Sequence, residues 1–373
     1  MIVTEAPATQ LDDLLARVGA GLELSATQHE LAEQHYRAVG SWLDTPGTML
    51  APYRPVIYPQ GSLRIGTTVK PRGREEYDLD LVCEVQAGAA DFPTPLTLLD
   101  LVEGRLREHK VYAAMIERKN RCVRLNYEHD FHMDILPGCP DLVRGGTALL
   151  VPDRAARGWK PSNPKGYALW FEQQARQVPQ TFAKAIEALP AYAPARKLPL
   201  QRVVQLIKRW RDVYYADDPD NAPISIVLTT LGGHHYAGTE SVSQALELIL
   251  DGIVNSLPTG RRLYVLNPAN PAEDLSEKWD VKKGAYEAFV GGISDFAAQW
   301  RHVLRQQGLH NVSRALGALF GEERIQKAVA AQANGLQDLR TEQRLGVSRA
   351  TGAIVSATSF GAVPAPRNTF FGR

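Results

Sequence analysis

The stretch Tyr77–Val85, YDLDLVCEV, places two aspartates, Asp78 and Asp80, one residue apart within an otherwise apolar run. In an extended strand successive side chains point to opposite faces, so Asp78 and Asp80 share one face while Leu79 and Leu81 turn to the core. The flanking Leu79, Leu81, Val82 and Val85 read as a buried strand, where unpartnered acids are costly to keep charged. Two adjacent carboxylates repel each other unless a cation neutralises them. Hard oxygen ligands with room for water and phosphate suit Mg²⁺ or Mn²⁺.

Further along the chain, RCVRLNYE (121–128) and FHMDILPG (131–138) read as neighbouring strands joined by a turn centred on His129 and Asp130. If the second lies beside YDLDLV, Asp134 reaches the same edge, with Met133 and Ile135 facing the other way. A third carboxylate there could deprotonate a sugar hydroxyl and hold a second metal. On the other side, QGSLRIGT (60–67) follows a short apolar segment. Gly61 would let the backbone approach a phosphate closely, and Ser62 could bind its oxygens, although most Gly-Ser pairs are plain turns. His129, Asp130, His132 and Asp134 also admit a phosphohydrolase-type metal site. No partner histidine motif stands at a convincing distance, and His234-His235 reads as a favourable charge at a helix C-terminus.

Around this centre the first half alternates between strand and helix signals. Apolar positions recur at helical spacing from Leu11 to about Leu43, as one long broken helix or two consecutive ones, with Ser25 a plausible N-cap. LTLLDLVEGRLREH (96–109) is a helix with Leu98, Leu101, Val102 and Leu106 on one stripe. The second half is helical throughout, including YALWFEQQARQV, TFAKAIEAL and LQRVVQLIKRWRDVYY. Prolines between Pro161 and Pro199 place a lobe boundary near Lys160. The expected domains are a catalytic core over 1–160 that includes the N-terminal helix, a helical lobe over 161–345 and a flexible tail over 346–373.

Bulk composition narrows the functional classes. Across 373 residues Lys plus Arg (42) nearly balances Asp plus Glu (41), so no chain-wide basic coat for nucleic acid is present. Cys83, Cys122 and Cys139 are too few and scattered for a disulfide framework or a zinc knuckle. Cys83 and Cys122 are expected as small core residues in a reducing cytoplasm. The N-terminus reads as no secretory signal, and no apolar run approaches the ~20 residues of a membrane span.

QGSLRIGT, YDLDLV and FHMDILPG together resemble the GS…DxD…D core of the polymerase-β-like nucleotidyltransferases, and most closely the bacterial cGAS/DncV-like branch. NPKGYALWF (163–171), LIKRWRD (206–212), PISIVLTTL (223–231) and NPANPAEDLSEKW (267–279) look like further segments of that family, in order, so the resemblance spans roughly 55 to 300. It implies an α/β, bilobed fold with a small mixed β-sheet, a long N-terminal spine helix and a C-terminal helical lobe closing a nucleotide cleft. It also implies that Asp78, Asp80 and Asp134 hold two Mg²⁺ (or Mn²⁺) ions, and that Gln60, Gly61, Ser62, Lys208 and Ser225 bind the triphosphate. The residues agree on the last two. Lys208 flanks the apolar stripe Leu200, Val203, Val204 and Ile207, although the basic run around it is by itself more often a solvated face. Ser225 follows Asn221 and Pro223 in a first helical turn, where phosphate is attracted. Tyr53, Tyr58 and Tyr236 are candidates for stacking on a base.

The activity so implied is synthesis of a cyclic di- or trinucleotide, or a linear oligonucleotide, from nucleoside triphosphates such as ATP, used as an antiphage second messenger. The implied partners are a HORMA-type activator and a ubiquitin-transfer-like enzyme acting on the tail APRNTFFGR. Three competing classes share the core: an enzyme that tails RNA, one that transfers a nucleotide to protein, and a nonenzymatic relative. The first would want a long basic track for its polymer, and the last would not keep all three acids.

Overall fold

The computed structural model describes residues 10–70, 77–127, 131–176, 197–349, 354–357 and 362–364. Helices α1 (Gln10–Leu22) and α2 (Ala26–Leu43) lead into strand β1 (Val56–Pro59), a single helical turn α3 (Gly61–Arg64) and strand β2 (Tyr77–Glu84). Helices α4 (Pro95–Arg107) and α5 (Lys110–Met115) precede strands β3 (Ile116–Arg118), β4 (Val123–Tyr127), β5 (Phe131–Pro140), β6 (Leu149–Asp153) and β7 (Gly158–Ser162). The chain then turns helical with α6 (Pro164–Arg176), α7 (Pro199–Tyr214), α8 (Ser225–His235) and α9 (Val242–Ser256). A short hairpin of β8 (Leu266–Asn267) and β9 (Asn270–Asp274) comes before α10 (Lys278–Val281), α11 (Ala285–Arg305), α12 (Leu309–Phe320) and α13 (Glu322–Thr341). Strands β10 (Leu345–Ser348), β11 (Ile354–Ser356) and β12 (Ala362–Pro364) follow. The expected turn at His129 and Asp130, the helix TFAKAIEAL and the tail APRNTFFGR lie outside the described residues.

The first half is a mixed sheet in the order β1-β2-β5-β4-β3, with β6 joining the far end of β5 and β7 pairing with β6. β2 and β5 run parallel and the other pairs are antiparallel. One face of this sheet is apolar. Leu79, Leu81, Cys83, Val123, Leu125, Phe131, Met133 and Ile135 are fully buried there, beneath Tyr36, Val39 and Leu43 of α2 and Leu99, Val102 and Leu106 of α4. Strand alternation then forces Asp78, Asp80, His132, Asp134 and Arg124 onto the other face.

The N-terminal helix is broken, as the two-helix alternative has it. The break is built by Ser25, whose side chain accepts from the Gln28 N–H at 3.1 Å while the Gln28 side chain accepts from the Ser25 N–H at 3.0 Å. Its two halves serve different cores. Leu14, Leu15, Val18 and Leu22 of α1 pack with helices of the second half, so α1 sits with the helical lobe, whereas the expected division placed the whole N-terminal helix with the first. Within the expected tail, the described residues include strands. β10, β11 and β12 form a three-stranded antiparallel sheet where the composition suggested only a flexible segment, because short Val- and Ile-bearing stretches find pairing partners in each other.

The break is tied to α7. Glu23 accepts from Arg202 at 2.9 Å and from Gln205 at 3.0 Å, with both charged side chains nearly buried. Removing one member of a buried pair leaves the other uncompensated. Glu23→Ala should therefore cost about 3–5 kcal/mol, read as a lower melting temperature, and Glu23→Leu with Arg202→Met should recover most of it. An unchanged melting temperature in Glu23→Ala would remove this anchor from the account.

Candidate active site

The register of three strands sets the centre. Asp80 of β2 lies opposite Asp134 of β5, and Asp134 lies opposite Arg124 of β4, so the three form one row across the sheet. Arg124 grips Asp134 in a fork, donating from Nε to Oδ1 at 2.6 Å and from Nη2 to Oδ2 at 2.8 Å. The same Nη2 reaches Asp78 Oδ1 at 3.2 Å. Asp78 is more than half exposed and Asp80 is not, so the first acid faces solvent while the second lies deeper.

Asp80 packs against the Gly-Ser turn. Gly61 has φ +64°, and a Cβ there would stand 2.1 Å from Asp80 Oδ2, so any other residue at 61 would be strained and would also displace the carboxylate. The Gln60 N–H donates to the Asp80 carbonyl at 2.9 Å, and Ser62 Oγ lies 3.2 Å from Thr68 Oγ1. Gln60, Gly61, Ser62, Asp78, Asp80, Lys208 and Ser225 all line one cavity of about 570 Å³ between the sheet and the helices. Asp134 is not part of that wall; both of its oxygens are taken by Arg124.

Lys208 is buried and does not sit on a solvated face; its ammonium donates to the Thr67 carbonyl at 3.1 Å and to Thr67 Oγ1 at 3.0 Å. Ser225 opens α8, but the helix starts later than Asn221 and Pro223 suggested. Ile224 is its N-cap and supplies no capping side chain. Ser225 Oγ accepts instead from Arg211 at 2.6 Å, which brings a second cation to the cavity wall beside Lys208.

Electrostatics follow from the crowding. Burial, then the charges of Asp134 and Asp78, push the Asp80 pKa up to about 7. Asp78 moves the same way, chiefly because the protein around its exposed carboxylate displaces part of the water, with Arg124 opposing and Asp134 adding to the shift. Carboxylates on adjacent strands stand roughly 5 Å apart, where an effective dielectric near ~20 gives about 3 kcal/mol of repulsion. Burial, then Arg211, brings Lys208 down to about 7, with Asp80 opposing.

The model of the Second Messenger Oligonucleotide or Dinucleotide Synthetase domain matches residues 9–175. Over 380 aligned residues the chain is 35% identical to a c-di-GMP synthase of Roseivirga ehrenbergii, covering all of both chains. The chain belongs to this synthetase family. It is a nucleotidyltransferase. The structure of the Bradyrhizobium diazoefficiens CD-NTase CdnG in complex with GTP superposes with a TM-score of 0.70 at 26% identity, over 87% of this chain and 99% of that one. An Escherichia coli CdnC bound to a HORMA protein shares the fold at 14% identity and TM-score 0.61, over 83% of this chain and 96% of that one.

Catalysis in this family depends on divalent metal, and the acid row fits one. Its donors are hard oxygens, with Asp80 and Asp134 level on adjacent strands and Asp78 on the same face. Among the described residues no three His, Cys, Asp or Glu side chains are grouped to hold a metal ion, and Asp134 is bonded to Arg124. Arg124 is the cation paired with the acid row. It had no place in the motif reading, yet its alternation with Val123 and Leu125 beside FHMDIL was a signal of a charged residue on the acid face.

Other expectations are revised. Cys122, expected in the core, hydrogen-bonds Asp134, and burial, then Asp134 and Asp80, raise its pKa. Tyr58 is buried, and neither it, Tyr53 nor Tyr236 lines the cavity; Tyr77 and Tyr167 do. His234 and His235 have pKa values lowered by burial, which disfavours the helix-terminal charge expected of them.

The Asp80 shift gives a pH prediction. A carboxyl whose folded pKa lies at about 7 against an ordinary 3.8 holds a proton in the native state that the unfolded chain has released. Without divalent ions, wild-type stability should fall as pH rises from about 4 to about 7. Asp80→Asn should flatten that fall, melting roughly 2 °C or more above wild type at pH 8 but not at pH 4. Mg²⁺ or Mn²⁺ should raise the wild-type melting temperature at pH 8 and leave the variant's unmoved. Parallel pH curves for the two proteins would refute the assignment.

Proposed function

We propose that this chain condenses two GTP molecules into a cyclic dinucleotide of the c-di-GMP type, used as a second messenger in defence against phage. The observation that carries the reading is the Asp80–Asp134 row opening beside a cavity whose walls hold Ser62, Lys208, Arg211 and Ser225. Full-length likeness to a c-di-GMP synthase and the GTP-bound relative support guanine as the base.

Asp78, Asp80 and Asp134 would hold two divalent ions, which polarise the reacting phosphate and offset charge on the departing pyrophosphate. Ser62, Lys208, Arg211 and Ser225 would fix the triphosphate, so that the α-phosphate lies in line with the acceptor's ribose hydroxyl. Asp134, once released from Arg124, accepts the hydroxyl proton as the oxygen attacks the α-phosphate. The bond to the β-phosphate breaks and pyrophosphate leaves. A second transfer on the linear dinucleotide closes the ring. A polymer-tailing role has no supporting basic track in the near-neutral composition.

The test supplies four labelled triphosphates with Mg²⁺ or Mn²⁺, beside an Asp78→Asn/Asp80→Asn control, first on the chain alone and then with a HORMA-type activator. The expected product resists phosphatase, carries two guanylate units by mass and disappears in the control. Ser62→Ala should raise KM for GTP more than it lowers kcat, since it removes a contact made before the chemical step. A phosphatase-sensitive ladder, or a product without guanine, would replace this reading.

A further inference from the structure

One polar cluster in the cavity has no part in holding phosphate or metal. Glu273 of β9, Asn267 of β8 and Ser162 of β7 all line it. Glu273 Oε2 accepts from Asn267 Nδ2 at 2.7 Å, and Oε1 accepts from Ser162 Oγ at 3.3 Å. The Asn163 backbone N–H also acts on this carboxylate, which still keeps part of its roughly four acceptor directions open. Arg121, also on the wall, acts on Glu273 only through space, because its guanidinium is spent on Asp153 and Glu277. Burial raises the Glu273 pKa against the pull of Asn267 and Ser162. A carboxylate held in this way, with acceptor capacity left over at a substrate cavity, calls for a neutral partner with two donors side by side.

Among the four nucleobases only guanine presents such an edge, with N1–H next to its 2-amino group. Adenine offers an acceptor at N1, cytosine an acceptor at N3, and uracil a single N–H between two carbonyls. Apolar surface for the ring faces is at hand, since Leu136 and Val151 from the sheet and Ala168 and Ile226 from the helices line the same cavity.

We propose that Glu273, held by Asn267 and Ser162, reads the Watson–Crick edge of one of the two bound guanines and sets the preference for guanine over adenine nucleotides. This rests on the cavity being the nucleotide site. The hairpin β8–β9 is the specificity element, and the sheet acids are indifferent to the base.

Binding of α,β-methylene analogues of GTP, ITP and ATP, which cannot be transferred, tests the assignment on the full chain. Wild type should bind the guanine analogue about tenfold to a hundredfold tighter than the adenine one, with the inosine analogue between them because it lacks the 2-amino group. Glu273→Gln should remove most of that preference by weakening guanine while leaving adenine within about threefold. Glu273→Asp, which keeps the charge but shortens its reach, should weaken guanine alone to a smaller degree. A guanine preference that survives both substitutions would overturn the assignment, as would an equal loss for guanine and adenine. Wild type that binds none of the analogues would instead refute the nucleotide-site reading itself.

Discussion

Three carboxylates crowded on one sheet face repel one another, and much of this molecule is arranged so that they stay together. Parallel pairing of β2 with β5 brings Asp80 level with Asp134, and antiparallel pairing of β5 with β4 brings Arg124 level with both. The apolar face beneath supplies the energy that holds this register. Slipping either strand by one residue would turn Leu79 or Met133 toward the cavity and an acid into the core. Arg124 relieves part of the repulsion, while burial first and then the charges of Asp134 and Asp78 raise the pKa of Asp80.

This row is coupled to the helical lobe through α7. Lys208 on this helix is buried against Thr67, in the loop that follows the Gly-Ser turn, and Asp80 opposes the fall in its pKa. Six residues earlier on the same helix Arg202 meets Glu23, and Gln201 donates to the Ile65 carbonyl at 2.9 Å. One helix therefore fixes the Gly-Ser turn, the lysine beside it and the break between α1 and α2. The lobes meet through buried polar contacts, whose geometry is directional, and the position of Lys208 relative to Asp80 is correspondingly well defined.

The acid row was legible because strand alternation is strict. YDLDLV and FHMDIL each put aspartate on one face and large apolar residues on the other, and only the strand order was needed to join them. The Gly-Ser turn was less legible: its glycine is required by Asp80, a contact of 19 residues' separation that no local pattern announces. Lys208 could be numbered from the family's motifs, but its burial could not, because a basic run on an amphipathic helix has the same pattern whether it meets water or a second lobe. Arg124 was missed for a related reason. An arginine between Val123 and Leu125 looks like an ordinary exposed strand position until the neighbouring strand is known to carry an acid at the same level. The strands after Leu345 were missed because pairing of three- and four-residue segments depends on contacts across the chain rather than on any run long enough to read.

The division of labour within the cavity bears on how such enzymes vary. On the reading proposed above, phosphate, metal and proton chemistry falls to the sheet and to α7 and α8, where Gly61 packs against Asp80 and Lys208 is buried against Thr67. Glu273 and Asn267 lie on a two-stranded hairpin whose pairing contains an irregularity and whose outer residues are exposed. Substitution there leaves the charge balance of the acid row untouched, because the hairpin shares no hydrogen bond with it among the described contacts. If Glu273 selects the base as proposed, such a scaffold could exchange one base for another without rebuilding the acid row, since the two are held by different elements.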